Sequence, residues 1–425
     1  MRRTIAAAAS GGLAAAALLG TGPAASAGTD DSRHSDDSVV VVDHLDNPRQ
    51  LNWHGRAGDR LVIAEAGSGG KSCFGEGEAQ QCAGLTGAVS VVDRPARTSG
   101  SAPHRVLTDL LSVAGPDGSF AVGSNGADIA KDPYRVLVAE TEVPPAALPP
   151  GAEDLPGLEQ LGHLLVAERR GPAVPRADLA AAEERLNPDG AQVESNPYAV
   201  LDVTDRHRDE GRRTTLVADA AANAVWKVVA RDGDRKHGPT YEVSVFAAWP
   251  TTAEDETTPE FVPTSLAEDD RGRVYVGGLG SEQPGRGAVA KFSASGKPLQ
   301  TWTGFTSVTG IAVDPDGSHL YVSQLFGTTP LLPPGDTPED EAPPAGAEAG
   351  DVVRVDVEEE TYVTRSVPFP AGLAVDRSGR VYASAHSLSD ADGSQGGPGA
   401  SPGQVWRFTF PRHAEEADLP VTAAE

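Results

Sequence analysis

One pattern recurs six times in this chain of 425 residues. Each copy has a short apolar segment led by Pro or Gly, a polar turn, a run rich in β-branched residues, a variable loop and another apolar segment. Short apolar runs with β-branched enrichment are typical of strands. The first two segments of the six copies lie in Asn47–Glu65, Asn125–Glu140, Asn196–Asp219, Val262–Gly277, Thr309–Ser323 and Pro370–Ser384.

The turns between the paired segments contain Asp followed by Gly. The clearest are Asp269–Gly272, Asp314–Gly317 and Asp376–Gly379. Asp bonds nearby backbone N–H groups and Gly adopts positive φ, so these turns predict hairpins. They also resemble fragments of calcium loops, but none has the twelve-residue acidic pattern that such a loop needs.

Outer segments such as Arg105–Leu107 and Tyr241–Val245 bring each copy to four strands. Six units of four antiparallel strands predict an all-β fold, a six-bladed β-propeller over residues 38–411. The sixth copy ends after its third strand, whereas Val39–Val42 stands before the first copy. We expect this N-terminal strand to close the last blade and cover its edge.

Both ends of the chain differ from the repeats. Residues 1–27 combine Arg2 and Arg3, an apolar run and Ala25-Ser26-Ala27, which predicts a signal peptide cleaved near Ala27 and a secreted, extracellular protein. We expect residues 28–37 to be a flexible N-terminal segment and residues 412–425 to be a disordered acidic C-terminal tail. No second hydrophobic run is long enough to suggest a transmembrane segment.

Several segments between the repeats have loop composition. Residues 144–156 and 330–350 are rich in Pro, Gly and acidic residues, and residues 386–402 are rich in Gly and Ser. We expect these three segments to be surface insertions. Residues 177–185 predict a short helix.

Charge and cysteine content exclude other classes. The chain has 35 Lys and Arg against 61 Asp and Glu, a formal net charge of -26, which argues against a nucleic-acid partner because phosphate binding needs a basic face. Cys73 and Cys82 lie nine positions apart in a Gly-rich segment, so in an oxidising compartment we expect a local disulfide. A redox or metal pair is the alternative, although catalytic thiols favour a two-residue spacing.

Several short motifs together resemble one family, the ScyD/ScyE family of secreted propellers, over roughly residues 39–410. The resemblance implies an exported six-bladed propeller without an assigned reaction. The Pro-rich insertions and Trp53-His54 depart from the family pattern. The motifs are Asn47-Pro48-Arg49, Glu65-Ala66-Gly67, Thr86–Val89, Gly115–Ser119, Asn187–Gly190, Ser195–Tyr198 and Ala218-Asp219-Ala220 with Asn223.

Polar residues near the starts of the innermost strands form the candidate ligand-binding set. In a propeller these starts gather around one mouth of the central channel. A Ca2+ or small-molecule site resembling that of gluconolactonases is one interpretation, but calcium needs six to eight oxygens and usually several carboxylates. The other interpretation, turn formation by Asn side chains, is favoured. The set is Asn47, Asn125, Asp128, Asn196, Thr264 and Thr309.

Three carboxylic residues, Glu65, Glu140 and Asp219, end the second strand of the first three units. Their repetition favours a structural role, bonding the backbone of an adjacent blade, over acid–base catalysis. The leading hypothesis for the whole chain is a monomeric extracellular binding or scaffold protein for an unknown ligand or protein, without a cofactor. The alternative is a metal-dependent lactonase-like or other hydrolytic propeller with Ca2+ in the central channel.

Overall fold

The computed structural model describes residues 38–55, 57–75, 77, 80–130, 135–141, 155, 157–168, 171–203, 212–231, 239–250, 260–327, 331, 350–393, 401–411 and 417–419. Among these residues, no helix has both the length and the apolar character needed to cross a membrane. The predicted signal peptide, the flexible segment 28–37 and most of the insertions 144–156 and 330–350 lie outside the described residues.

Strands dominate the described part of the chain. The first half contains β1 Val39–Leu45, β2 Pro48–His54, β3 Arg60–Glu65, β4 Ser72–Phe74, β5 Gln81–Asp93, β6 Arg105–Ala114, β7 Val122–Ala130, β8 Arg135–Glu140, β9 His163–Glu168, β10 Val174–Asp178, β11 Pro197–Val203 and β12 Arg212–Asp219. The second half contains β13 Ala224–Arg231, β14 Thr240–Ala248, β15 Pro263–Glu268, β16 Val274–Gly278, β17 Gly287–Phe292, β18 Pro298–Phe305, β19 Val308–Val313, β20 His319–Gln324, β21 Asp351–Asp356, β22 Thr361–Ser366, β23 Leu373–Val375, β24 Val381–Ala385, β25 Gly403–Phe408 and β26 Ala417–Asp418.

The strands form antiparallel meanders. Two sheets follow chain order, β11-β12-β13-β14 and β15-β16-β17-β18, and a third runs β19-β20-β21-β22-β26. A longer sheet runs β10-β9-β8-β7-β6-β5-β3-β2, but its β6–β7 junction consists of two residue pairs, Ser112 with Gly123 and Val113 with Val122. The last sheet, β1-β25-β24-β23, combines the two ends of the propeller.

The first strands of the meanders form a ring. Strands β2, β7, β11, β15, β19 and β23 contact one another in that order, and β23 contacts β2 again. The sheets therefore radiate from a common axis, and the fold is a β-propeller.

Strand β1 closes the ring through β25. The registered pairs include Val40 with Trp406 and Val42 with Val405, and Leu45 pairs with Gly403. The prediction that the N-terminal run pairs with the last repeat is confirmed. Because β1 covers β25, that strand has no open edge on which another chain could add.

The core lies between neighbouring sheets. Trp226 of β13 packs against Leu137 of β8 and Val166 of β9, and Trp302 packs with Tyr275 and Val353 in the next interface but one. Sheets covered on both faces explain why second strands such as Val136–Ala139 are continuously apolar rather than alternating.

Other sequence predictions have definite outcomes. A helix, α1, spans Leu179–Leu186, and Asp178 caps it by accepting a hydrogen bond from Ala181 N. Cys73 and Cys82 form a disulfide between the paired strands β4 and β5. The expectation of a fully disordered tail is wrong for residues 417–419. There β26 pairs with the outer edge of β22, and Leu419 packs beside the buried cluster around Trp302.

Candidate functional site

At the starts of the innermost strands, which we call the strand-start mouth, polar side chains bond the backbone of the next sheet. Asn47 donates from Nδ2 to Gly67 O and Gly118 O and accepts from Ala121 N. Thr264 Oγ1 donates to Val308 O at 2.6 Å. Thr309 Oγ1 donates to Pro370 O at 2.9 Å. These predicted site residues tie sheet to sheet.

Two of the predicted residues, Asn125 and Asn196, are linked by the side chain of Thr141. Asn125 Nδ2 donates to Thr141 Oγ1 at 2.6 Å, and Thr141 Oγ1 donates to Asn196 Oδ1 at 3.1 Å. Asp128 does not join them. It lies three positions further along the extended strand β7, towards the opposite end of the channel. The six predicted residues therefore do not form one site.

The three strand-end carboxyl groups have different surroundings. Glu65 accepts from Asp46 N and binds Arg105 Nη2 at 2.7 Å. Asp219 accepts from Asn196 N and from Trp226 Nε1. Both have a structural role, but Asp219 bonds residues of its own sheet rather than, as was predicted, the backbone of an adjacent blade.

Glu140 is the exception among these three groups. It is fully buried, and within the described residues neither carboxyl oxygen has a hydrogen-bond partner. Burial raises the pKa of Glu140 well above its usual value. Among the described residues Glu140 therefore lacks the backbone bonds that were predicted for all three groups.

A cavity of about 290 Å³ opens at the other end of the innermost strands, which we call the strand-end mouth. All six ring strands or the turns that follow them contribute to its wall. Trp53, Leu201, Ile311 and similar residues form apolar parts of this wall. The acidic lining residues are Asp128, Asp202, Glu268, Asp269 and Asp270.

Two of these carboxyl groups have strongly raised pKa values. Asp128 is 5% exposed, and burial together with the charge of Asp202 raises its pKa to about 7. Burial raises the pKa of Asp202 to about 6, against the lowering effect of Arg135 and Arg213. The charge of Asp202 acts on Asp128, and Asp202 N donates to Asp128 Oδ2 at 2.8 Å, so the two residues are neighbours whose protonation is linked.

Asp269 has a different role at the same mouth. Its carboxylate accepts from Arg271 N and Arg273 N, and it pairs with the Arg273 guanidinium. Asp376 repeats this arrangement with Arg380. Gly272 and Gly379 adopt φ of 75° and 73° in these turns, as the hairpin prediction requires. Asp269 therefore holds a turn. Asp128, Asp202, Glu268 and Asp270 are the other acidic residues of the wall, and both oxygens of Asp128 accept backbone hydrogen bonds, from Ile129 N and Asp202 N.

The described residues contain no group of three or more His, Cys, Asp or Glu side chains placed to hold a metal ion. Asp128 and Asp202 together supply a carboxyl pair, which suits proton transfer or attraction of a cationic group.

Sequence reasoning found Asp128 but missed Asp202 and Glu268. A signal exists: an acidic residue directly follows an apolar residue near the ends of the innermost strands, in Ala127-Asp128, Leu201-Asp202 and Ala267-Glu268. Aligning the six repeats by the last residues of their innermost strands would have predicted that these carboxyl groups lie at the same end of the ring.

Comparison with known proteins gives distant likenesses. No family model and no curated protein matches the chain. A luciferin-regenerating enzyme has a TM-score of 0.42 at 11% identity, with 90% of this chain and 98% of that chain covered. A streptogramin B lyase has a TM-score of 0.43 at 8% identity, with 88% and 96% covered.

A Xanthomonas campestris gluconolactonase has a TM-score of 0.36 at 10% identity, with 89% of this chain and 99% of that chain covered. Because these TM-scores are low, the propeller class rests on the strand pairing of this chain, and the activities of these proteins are not transferred to it.

Proposed function

We propose that the chain is a secreted, monomeric, six-bladed propeller that binds a small organic cation at the strand-end mouth. The blade count takes the longer sheet as two blades divided at its two-pair β6–β7 junction. The disulfide between Cys73 and Cys82 supports an oxidising compartment. Membership of the ScyD/ScyE family remains part of this proposal.

The observation that carries the binding role is the cavity itself. It combines apolar wall residues with carboxyl groups that the fold does not use for turns, and such a concave mixture is the usual form of a small-molecule site. A volume of about 290 Å³ suits a ligand of few heavy atoms. An amine or guanidinium with a short apolar body would match both parts of the wall.

Calorimetric titration with a panel of small organic amines tests this role. We expect saturable binding to the wild-type chain and a loss of affinity of about tenfold or more in Asp202→Asn. Glu242→Gln is the matched control, because Glu242 is an exposed acid on the outer strand β14. Equal affinity in Asp202→Asn and wild type, or no binding by any amine, would contradict the proposal.

The coupled pair favours a second candidate, a hydrolytic enzyme. Carboxyl groups with pKa values of about 7 and 6 are suited to act as acid and base near neutral pH. In this reading Asp202 is the base and Asp128 the acid. Hydrolysis assays on a panel of lactones and esters distinguish the enzyme from the binding protein. The assays are repeated with Asp128→Asn and with added Ca2+ or chelator. Turnover lost in Asp128→Asn supports the enzyme, and a metal-dependent rate supports the calcium alternative.

A further inference from the structure

Arg49 of β2 is a buried cation, and among the described residues no carboxylate is paired with it. It is 4% exposed, Nη2 donates to Ala121 O, and within the described residues Nε has no hydrogen-bond partner. Burial lowers the pKa of Arg49, and Tyr198 is the ionisable residue that acts in the opposite direction.

This arrangement is unusual for the chain. Desolvating a guanidinium is costly unless a counter-charge and hydrogen bonds compensate for the lost water. Carboxylates are abundant, with 61 Asp and Glu. Arg273 and Arg380 each pair with one of them, and Arg105 pairs with two. In the part of the chain that the structure describes, the lack of a carboxylate paired with Arg49 therefore does not follow from a shortage of acids.

The neighbouring side chain separates Arg49 from the acidic cavity. Gln50 Nε2 donates to Val200 O and Gln50 Oε1 accepts from Val200 N, both at 3.0 Å. Strand β7 lies between β2 and β11 in the ring, so Gln50 reaches β11 across the inside of the channel. The cavity wall begins at Leu51 and includes neither Gln50 nor Arg49.

Arg49 thus belongs to the strand-start mouth. There the side chains of Asn47, Thr264 and Thr309 are used for bonds between sheets. Arg49 keeps unused N–H donors at this mouth, and a planar guanidinium is suited to bind carboxylate or other oxyanions through two parallel hydrogen bonds.

We propose that Arg49 forms an anion-binding site at the strand-start mouth, which takes a carboxylate or a small oxyanion, with the Tyr198 hydroxyl as a second donor. The site is independent of the cation site at the other mouth, so each proposal can fail without the other. A ligand bound here would enter the channel from the end opposite the acidic cavity.

Anion titrations of the wild-type chain test the proposal. The anions are acetate, inorganic phosphate and chloride, and each titration is followed by thermal melting and by the Nε–H NMR signal of Arg49. Arg49→Met identifies that signal by its loss. We expect a saturable change in both observables for at least one anion, weakened about tenfold or more in Arg49→Met. Tyr198→Phe should weaken binding less. Arg231→Met is the control, because Arg231 is exposed and pairs with Glu242.

Two results would overturn the proposal. One is a wild-type melting temperature and Nε–H signal that respond to none of the three anions. The other is an equal response in Arg49→Met and wild type. If Arg49→Met does not fold, the conservative variant Arg49→Lys supplies the assignment of the buried Nε–H signal, and the NMR titration of the wild-type chain then decides.

Discussion

The two mouths of the central channel use polar residues differently. At the strand-start mouth Asn47, Thr264 and Thr309 are buried and bonded to the backbone of a neighbouring sheet. At the strand-end mouth Asp128 and Asp202 face a cavity and have raised pKa values. A buried amide or hydroxyl bonded between sheets stabilises the ring, whereas a carboxyl group whose pKa is raised by burial costs stability even where, as in Asp128, its oxygens accept backbone hydrogen bonds.

The comparison predicts the largest stability loss at the strand-start mouth. Asn47→Ala removes three hydrogen bonds and places Ala at a φ of 48°, so the free energy of unfolding should fall by about 4 kcal/mol. Urea unfolding measures this. Asp270→Ala, at the exposed rim of the strand-end mouth, is the counterpart and should change stability by about 0.5 kcal/mol or less. Similar losses in both variants would remove the distinction between the mouths.

The next effect is a pH dependence at the strand-end mouth. An unfolded Asp titrates near pH 4, whereas folded Asp128 titrates at about 7. Between these values the folded chain keeps a proton that the unfolded chain has lost, so stability falls as pH rises from 4 to 7.

In Asp128→Asn this fall should be smaller by about 2 kcal/mol, less than the full shift implies because Asp202 titrates with it. Urea unfolding at pH 4.5 and 7.5 gives both values. Asp109→Asn, at an exposed position of β6, should retain the wild-type pH dependence. A wild-type slope in Asp128→Asn would show that the carboxyl group does not hold its proton in the folded chain.

A smaller loss is expected from Thr264→Val. The variant keeps the shape of the side chain but leaves Val308 O without its 2.6 Å hydrogen bond, which should cost about 1.5 kcal/mol. Thermal or urea unfolding measures the loss. Thr108→Val is the matched control, because the Thr108 hydroxyl is exposed and bonds the adjacent Asp109 side chain. Equal stability of the two variants would mean that the bond between sheets contributes nothing net.

The smallest effect concerns the rim turns of the strand-end mouth. His319 takes the place that Arg273 and Arg380 have in the equivalent turns, and its bond to Asp314 Oδ2 at 2.8 Å raises its pKa. Protonated His319 therefore stabilises the fold below pH 6.5, and this contribution is lost as pH rises through the folded pKa.

His319→Gln should abolish this pH dependence, an effect below about 1 kcal/mol because the pair is partly exposed. Unfolding between pH 5.5 and 8.5 measures it. His44→Gln serves as the exposed control. If the variant and the wild type show the same pH profile, the turn does not depend on protonated His319.

Much of the fold could be predicted from local pattern. The strand pairs, the Asp–Gly turns and the helix near residue 180 depend on neighbours in sequence. The N-terminal strand at Val39–Val42 could be assigned to β25 because the last repeat was one strand short. The tail was harder: Ala417–Asp418 pairs with β22 because that outer edge is open, and nothing within the tail itself indicates which edge it meets.

The candidate site was less predictable for a physical reason. An Asn at a strand start has the same sequence signature whether its amide binds a ligand or, like Asn47, bonds Gly67, Gly118 and Ala121. Asp202 and Asp128 are 74 positions apart and become a coupled pair because β7 and β11 are neighbours in the ring.

The sequence by itself determined a ring of short strands closed by its own N-terminus and a local disulfide, because hydrogen bonding and hydrophobic burial in strands follow short-range order. The tertiary structure alone decided which polar groups are consumed in bonds between sheets and which remain for a ligand. That choice depends on burial and on partners brought together from different sheets, which is why the acidic cavity and Arg49 emerge from the folded ring.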